Sequence, residues 1–142
     1  MRFANTITID RPPAAVFAYL ADLKNLPRWN YAISETRKIT AGPVRVGSRY
    51  QQSRTIPVHS EESLEVVEFE PDRRFVIRGT LSSLPGQIGY TLSPNGNATT
   101  VTNTVELQPP LTLSLVAPLA AHRIKSAVAA NLDVLKRTLE RA

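Results

Sequence analysis

The stretch RPPAAVFAYLADLKNLPRWN, residues 11 to 30, predicts two short helices separated by a break. Proline is tolerated in the first turn of a helix, so Pro12 and Pro13 indicate a helix start. Asp22 can end this helix and cap a second, shorter one, which Pro27 is expected to terminate. Helices this short bury little surface alone. We therefore expect them to fill or rim a space that the rest of the chain builds.

The chain on both sides of this stretch has the alternating pattern of β-strands. Phe3, Ile7 and Ile9 share one phase before it. After it, turn residues separate six segments in which we expect strands: 32–39, 48–54, 60–69, 75–81, 87–92 and 99–107. Asn95-Gly96 is typical of a hairpin tip, whereas SSLPG, residues 82–86, is expected to interrupt the strands on either side of it.

The C-terminal stretch from residue 111 onward has the three- and four-residue apolar spacing of a helix. Pro118 is expected to kink this helix or to mark where its regular part begins. Ile124, Val128, Leu132 and Leu135 are expected to face a sheet. The element order predicts an α+β fold in which a seven-stranded, curved antiparallel sheet wraps around the long C-terminal helix, with two short helices between strands 1 and 2.

Composition limits the class of protein. A chain of 142 residues with 42% hydrophobic content predicts one domain over residues 1–142. It has no apolar run long enough to span a membrane, and its first residues lack the apolar region of a signal peptide. The absence of cysteine excludes disulfides, thiolate metal sites and cysteine nucleophiles. We expect a cytoplasmic protein.

The net charge of +5 comes from basic residues spread along the chain, without a basic block or an aromatic-plus-basic recognition motif. We therefore expect a solvated basic surface and no nucleic-acid partner. A stress-response or toxin-like module acting through protein or ribosomal contacts would require these residues to cluster on one face.

Four segments resemble the START-like (SRPBCC, helix-grip) superfamily, in particular its bacterial polyketide cyclase/dehydrase and lipid-transport-like branch. They are TITIDRPPAAVFAYLADLKNLPRWN, VVEFEPDRRFVIRG, ATTVTNTVEL and NLDVLKRTLE, and the resemblance covers nearly the whole chain. It is a resemblance of fold and carries no catalytic motif. It implies a deep apolar cavity between the sheet and the long helix, which relatives use for lipids, hormones, aromatic polyketides or hydrophobic metabolites.

The candidate ligand-binding side chains of such a cavity are Trp29, Tyr50, Gln52, Tyr90, Asn103, Val116, Ala120 and Ile124. Trp29 either packs on a ligand at the cavity rim or anchors the short helices in the core, which is the commoner use of tryptophan. Tyr90 and Asn103 are polar groups on apolar strand faces, where they orient a ligand or bond a neighbour or an ordered water. Arg54 is expected near an open edge.

The titratable residues do not assemble a catalytic motif. His59 and His122 lie in separate elements without metal-ligand spacing, and we interpret both as surface or cavity-mouth residues. The carboxylates that crowd one strand are interpreted as a solvated outer face; they are Glu61, Glu62, Glu65, Glu68 and Glu70. The sequence has no Ser–His–Asp order, phosphate loop or nucleophile elbow. We expect no metal and no cofactor, and the sequence identifies no catalytic residue.

Two functions remain open from the sequence. The leading hypothesis is a monomeric or homodimeric protein that binds a hydrophobic small molecule, such as a lipid, polyketide or aromatic metabolite. The alternative is a polyketide cyclase/dehydratase-type enzyme that folds its substrate in the same cavity, with Tyr90, Asn103 or His122 moving protons.

Overall fold

The computed structural model describes residues 1–113 and 115–142. Its strands are β1 (Arg2–Ile9), β2 (Ile33–Lys38), β3 (Arg49–Arg54), β4 (Ser60–Glu70), β5 (Arg74–Leu81), β6 (Leu84–Asn95) and β7 (Ala98–Leu107). Its helices are α1 (Pro13–Leu20), α2 (Leu26–Trp29) and α3 (Ala117–Arg141), with single 3-10 turns at Leu23–Asn25 and Leu111–Leu113.

The seven strands form one antiparallel sheet in the order β1-β7-β6-β5-β4-β3-β2. Strands β2 to β7 form a meander, and β1 pairs with β7 so that Arg2 lies opposite Glu106 and Ile9 opposite Thr99. The helices cover the concave face of this curved sheet. The α+β helix-grip fold predicted from the sequence is therefore confirmed, including the short helices between β1 and β2.

The short helices close one part of the concave face. Phe17 of α1 packs edge-on against Phe69 and Phe75, with ring centroids 5.5 and 6.3 Å apart. Asp22 caps the following 3-10 turn by accepting a hydrogen bond from the Lys24 backbone N–H. The predicted role of Pro27 is wrong, because it lies in the first turn of α2 and does not end a helix. Proline is tolerated there since the first helical N–H groups need no partner.

The predicted break after β5 is present, but it is shorter than the expected residues 82–86. Ser82 and Ser83 form the two-residue connection of the β5–β6 hairpin, with φ values of 50° and 68°, and β6 begins at Leu84. Two positive φ values are typical of the tightest hairpin turns, which favour glycine and asparagine. Serine at both positions gave no signal that the break is a two-residue hairpin turn.

Two glycines next to this turn allow close strand packing. Gly79 of β5 lies opposite Gly86 of β6. A Cβ atom on Gly79 would overlap the Ser63 carbonyl oxygen, and one on Gly86 would lie 2.7 Å from a Leu107 methyl carbon. Only glycine permits these approaches.

The burial of α3 changes along its length. The helix begins at Ala117 with Pro118 in its first turn, so Pro118 marks the start of the regular helix, as one of the two expectations had it. Leu132 and Leu135 are fully buried, whereas Ile124 and Val128 are only partly buried. Among the described residues, no helix is long and apolar enough to cross a membrane.

Candidate functional site

Several apolar side chains are only partly buried at one end of the concave face. The partly buried apolar residues there are Met1, Phe3, Leu84, Ile88, Ile124 and Val128. They lie at the end of the sheet where β7 leads into α3, and we call this end the mouth. A close-packed core would bury such side chains completely. Their partial exposure leaves apolar surface accessible at this end of the sheet and on the N-terminal half of α3.

A row of polar and aromatic side chains crosses the concave face deeper inside. Asn103 of β7 lies opposite Asn5 of β1 and Tyr90 of β6. The buried Asn103 amide nitrogen donates to the Gly89 carbonyl at 3.2 Å, while its oxygen has no partner among the described residues. Because the nitrogen is engaged, the amide orientation is fixed and a bare acceptor remains in the wall.

Tyr90 and Trp29 form an aromatic pair beside this row. Their rings pack edge-on with centroids 6.3 Å apart, and both side chains are buried. Burial raises the pKa of Tyr90 well above its ordinary value, so its hydroxyl stays neutral. The Trp29 indole N–H has no partner in the described part of the chain. Trp29 is thus a core residue, as the commoner use of tryptophan indicated, and it also retains an unused donor.

Tyr50 and Gln52 extend the polar wall onto β3. Both are buried, and neither the Tyr50 hydroxyl nor the Gln52 side-chain oxygen has a partner within the described residues. Burial raises the pKa of the Tyr50 hydroxyl, and the Asp22 carboxylate raises it further. The Gln52 amide nitrogen donates to a Glu62 carboxylate oxygen at 2.9 Å.

Glu62 is the centre of a buried charged network that the sequence analysis missed. Its carboxylate accepts hydrogen bonds from the Gln52 amide at 2.9 Å, the Arg54 Nε at 2.9 Å and the Ser82 backbone N–H at 2.6 Å. The Glu62 side chain is completely buried and that of Arg54 is 14% exposed. A buried carboxylate is tolerated only with such partners. Arg54, expected near an open edge, instead supplies the compensating charge.

The interpretation of Glu62 as an outer-face residue is therefore wrong. Alternation along β4 places Glu62 on the concave face together with the buried Leu64 and Val66. The strand then has a bulge between Val66 and Glu68, which returns Glu68 to the outer, exposed face. The apolar residues in phase with Glu62 were the signal in the sequence.

The remaining candidates lie on the first turns of α3 or on the surface. Ala120 and Ile124 are partly buried, whereas Val116, directly before the helix, is 54% exposed. Their role in ligand binding, and that of the five sheet and α2 candidates, stays a prediction. His59 and His122 are exposed. In the described part of the chain, no group of three His, Cys, Asp or Glu residues is placed to hold a metal ion.

A separate groove of about 700 Å³ lies at the sheet end on the opposite, convex side. Its lining includes the charged and polar side chains of Arg2, Arg78, Gln87 and Glu106. Arg2 and Glu106 form a surface ion pair across it at 3.5 Å. This groove is open and polar, so the concave side remains the better candidate for an apolar ligand.

A family model described as "Polyketide cyclase / dehydrase and lipid transport" matches residues 1–140. The chain belongs to this family. The resemblance read from the sequence is thereby confirmed, and family membership supports a role in binding or cyclising hydrophobic ligands without distinguishing the two. A search of the curated proteins finds no match.

Solved structures with low sequence identity share the fold of this polyketide cyclase/dehydrase family member. The protein TTHA0849 from Thermus thermophilus has a TM-score of 0.80 and 17% identity, with 98% of this chain and 97% of that chain covered. The Zhui aromatase/cyclase from Streptomyces sp. R1128 has a TM-score of 0.80 and 12% identity, with 99% and 94% covered. The di-domain ARO/CYC BexL of the BE-7585A biosynthetic pathway has a TM-score of 0.73 and 17% identity, with 99% and 46% covered.

Proposed function

We propose that the protein binds a hydrophobic small molecule between the concave face of the sheet and the N-terminal half of α3. The observation that carries this proposal is the set of buried polar atoms without partners among the described residues. It includes Trp29 Nε1, Tyr50 Oη, Gln52 Oε1, Asn103 Oδ1 and Asn131 Oδ1. An unsatisfied buried polar group costs about 1–3 kcal/mol, so each of these atoms needs a partner, which the polar groups of a ligand or ordered water can supply. Apolar walls with a few such groups are typical of ligand sites.

The chemistry of these atoms supports a ligand that carries hydroxyl or N–H groups on an apolar framework. The side-chain oxygens of Gln52 and Asn103 are fixed as acceptors because their amide nitrogens already donate to Glu62 and Gly89. Acceptors require donors, which a plain hydrocarbon chain does not provide. The Trp29 indole N–H adds one donor on the same side of the sheet.

A cyclase would use the same cavity, but the structure offers it little acid–base chemistry. Tyr90 and Asn103 lie side by side, whereas His122 is exposed on α3. The raised pKa of Tyr90 makes its hydroxyl a poor acid at neutral pH, and an amide does not titrate. These three residues therefore do not form an acid–base pair, and ligand binding is the function the geometry supports better.

Fluorescence of the neutral apolar probe N-phenyl-1-naphthylamine tests the proposal. We expect the probe to bind the wild-type protein and to be displaced by naphthols more strongly than by naphthalene. Asn103→Leu preserves the branched shape of the side chain and removes the acceptor together with the amide donor to Gly89, so it should abolish the preference for naphthols while probe binding persists. Thr102→Ala, on the outer face of the same strand, is the matched control and should leave both unchanged. Absence of probe binding would overturn the proposal.

A further inference from the structure

Large exposed apolar side chains cluster around the mouth. Strand pairing places the α2–β2, β3–β4 and β7–α3 connections at this end, because Ile33 and Ser60 both lie opposite Arg54, and Leu107 lies opposite Gly86. Of the nine large hydrophobic residues exposed in the described part of the chain, seven lie at this end, and they form what we call the mouth surface. They are Tyr31, Ile56, Val58, Leu111, Leu115, Val116 and Leu119.

The residues of the mouth surface are solvent-exposed and are not partly buried core residues. Leu111 and Leu115 are 92% and 95% exposed. Leu119 is 59% exposed and lies on the side of α3 opposite Val128, which packs against the core. Single exposed apolar residues are ordinary on a protein, but several of them at one end of a fold indicate an interaction surface.

The charge around the mouth surface is positive. The sequence contains no Asp or Glu between Glu106 and Asp133, while His122, Arg123 and Lys125 lie within that interval. Arg28, Arg123 and Lys125 are exposed and take part in none of the ion pairs among the described residues.

The nearby carboxylates do not neutralise these cations. Glu106 pairs with Arg2 at 3.5 Å. Glu61 keeps its negative charge and accepts a hydrogen bond from the Ser53 hydroxyl at 2.6 Å, but it belongs to none of the ion pairs among the described residues. Glu62 is buried in its pair with Arg54.

We propose that the mouth surface docks on an anionic lipid bilayer. Apolar side chains surrounded by cations suit the boundary between acyl chains and phosphate head groups. A second copy of the chain fits this surface poorly, since a two-fold interface would place Arg28 and Arg123 close to the same cations of the partner. The inference goes beyond the proposed ligand binding and stands without it.

Co-sedimentation with lipid vesicles tests the docking. We expect the protein to bind vesicles of phosphatidylcholine and phosphatidylglycerol, to bind pure phosphatidylcholine at least about tenfold more weakly, and to be released by salt. Leu115→Ser/Leu119→Ser should lower the partition coefficient at least about tenfold on anionic vesicles, because two apolar side chains no longer enter the bilayer. Arg123→Glu should weaken binding to anionic vesicles and leave binding to phosphatidylcholine unchanged.

Ile39→Ser/Val46→Ser is the matched control, because these residues are 56% and 58% exposed on the β2–β3 connection at the opposite end of the sheet. It should bind vesicles like the wild type. Failure to bind anionic vesicles, or an equal loss in the control, would overturn the docking. So would a dimer, seen by analytical ultracentrifugation, that dissociates in Leu115→Ser/Leu119→Ser. If Leu115→Ser/Leu119→Ser melts at a lower temperature than the control variant, its loss of vesicle binding is set aside, and the binding of Arg123→Glu and the salt dependence test the docking instead. Probe binding by N-phenyl-1-naphthylamine is read separately, so the two proposals can fail independently.

Discussion

Removing the Glu62 carboxylate should destabilise the protein more than removing any exposed carboxylate of β4. In Glu62→Ala, the Arg54 Nε, the Gln52 amide and the Ser82 backbone N–H all lose their acceptor. The alanine also leaves the Arg54 charge without a counter-ion in a site where the Arg54 side chain is only 14% exposed.

The size of the effect follows from these contacts. Breaking a buried ion pair by removing one partner costs about 3–5 kcal/mol. Arg54 retains some access to water, which offsets part of its lost pairing. We therefore expect the free energy of unfolding to fall by about 3 kcal/mol, near the lower end of that range. A matched control is Glu65→Ala, because Glu65 is exposed on the same strand and should change stability by less than about 0.5 kcal/mol.

Urea unfolding followed by circular dichroism measures both variants. A double-mutant cycle separates the pair from its individual residues: Glu62→Leu/Arg54→Met should be less destabilised than the sum of its two single variants, since no charge is left buried alone. The assignment of Glu62 to a buried ion pair is wrong if Glu62→Ala unfolds at the same urea concentration as Glu65→Ala, or if the two single variants are additive.

Three further outcomes follow from burial. Burial raises the pKa of Tyr90 above 10.0, so the unfolded state ionises first and the free energy of unfolding falls as pH rises past 10. Tyr90→Phe should reduce this fall by up to about 1.4 kcal/mol per pH unit. Urea unfolding at a series of pH values between about 10 and 12 measures the difference. Gly79→Ala should cost about 1–3 kcal/mol in thermal melts because its Cβ would overlap the Ser63 carbonyl, whereas Gly89→Ala, with its nearest neighbour 3.7 Å away, should cost less. Leu135→Ala, at a fully buried position, should lower the free energy of unfolding by about 2–5 kcal/mol. Val116→Ala, at a position that is 54% exposed, should lower it by less than about 0.5 kcal/mol. Equal melting temperatures of the two variants would contradict the burial gradient of α3.

Most of the fold could be predicted because its signals are local. Alternation identified the strands, and Asn95-Gly96 marked the β6–β7 hairpin, where Gly96 has a φ of 61°. Ser82-Ser83 were predicted only as part of a longer break, because serine gives no turn signal as strong as glycine does, although its backbone adopts the same left-handed region here. The turn is fixed instead by a distant contact, since the Ser82 N–H donates to Glu62, which lies 20 residues earlier in the chain.

The candidate site was less accessible from the sequence, because it depends on pairing between strands. The β4 sequence shows that Glu62 alternates in phase with Leu64 and Val66, but it does not reveal the bulge between Val66 and Glu68. Nor does a sequence show that Arg54 comes within 2.9 Å of Glu62. Such contacts arise from register, which a single-sequence pattern does not specify.

The two ends of α3 contribute differently to the protein. Its C-terminal half is packed through Leu132, Leu135 and Leu139, and it stabilises the fold by burying apolar surface. Its N-terminal half leaves Ile124 and Val128 partly buried, whereas the Glu62 network joins β3 and β4 to the β5–β6 turn. Regions with few buried contacts open at the lowest free-energy cost. Access to the space between sheet and helix is therefore expected to come from movement of the first turns of α3. Val116 and Leu119 of the mouth surface lie at these turns, so the proposed membrane contact would act on the part of the helix that is expected to move.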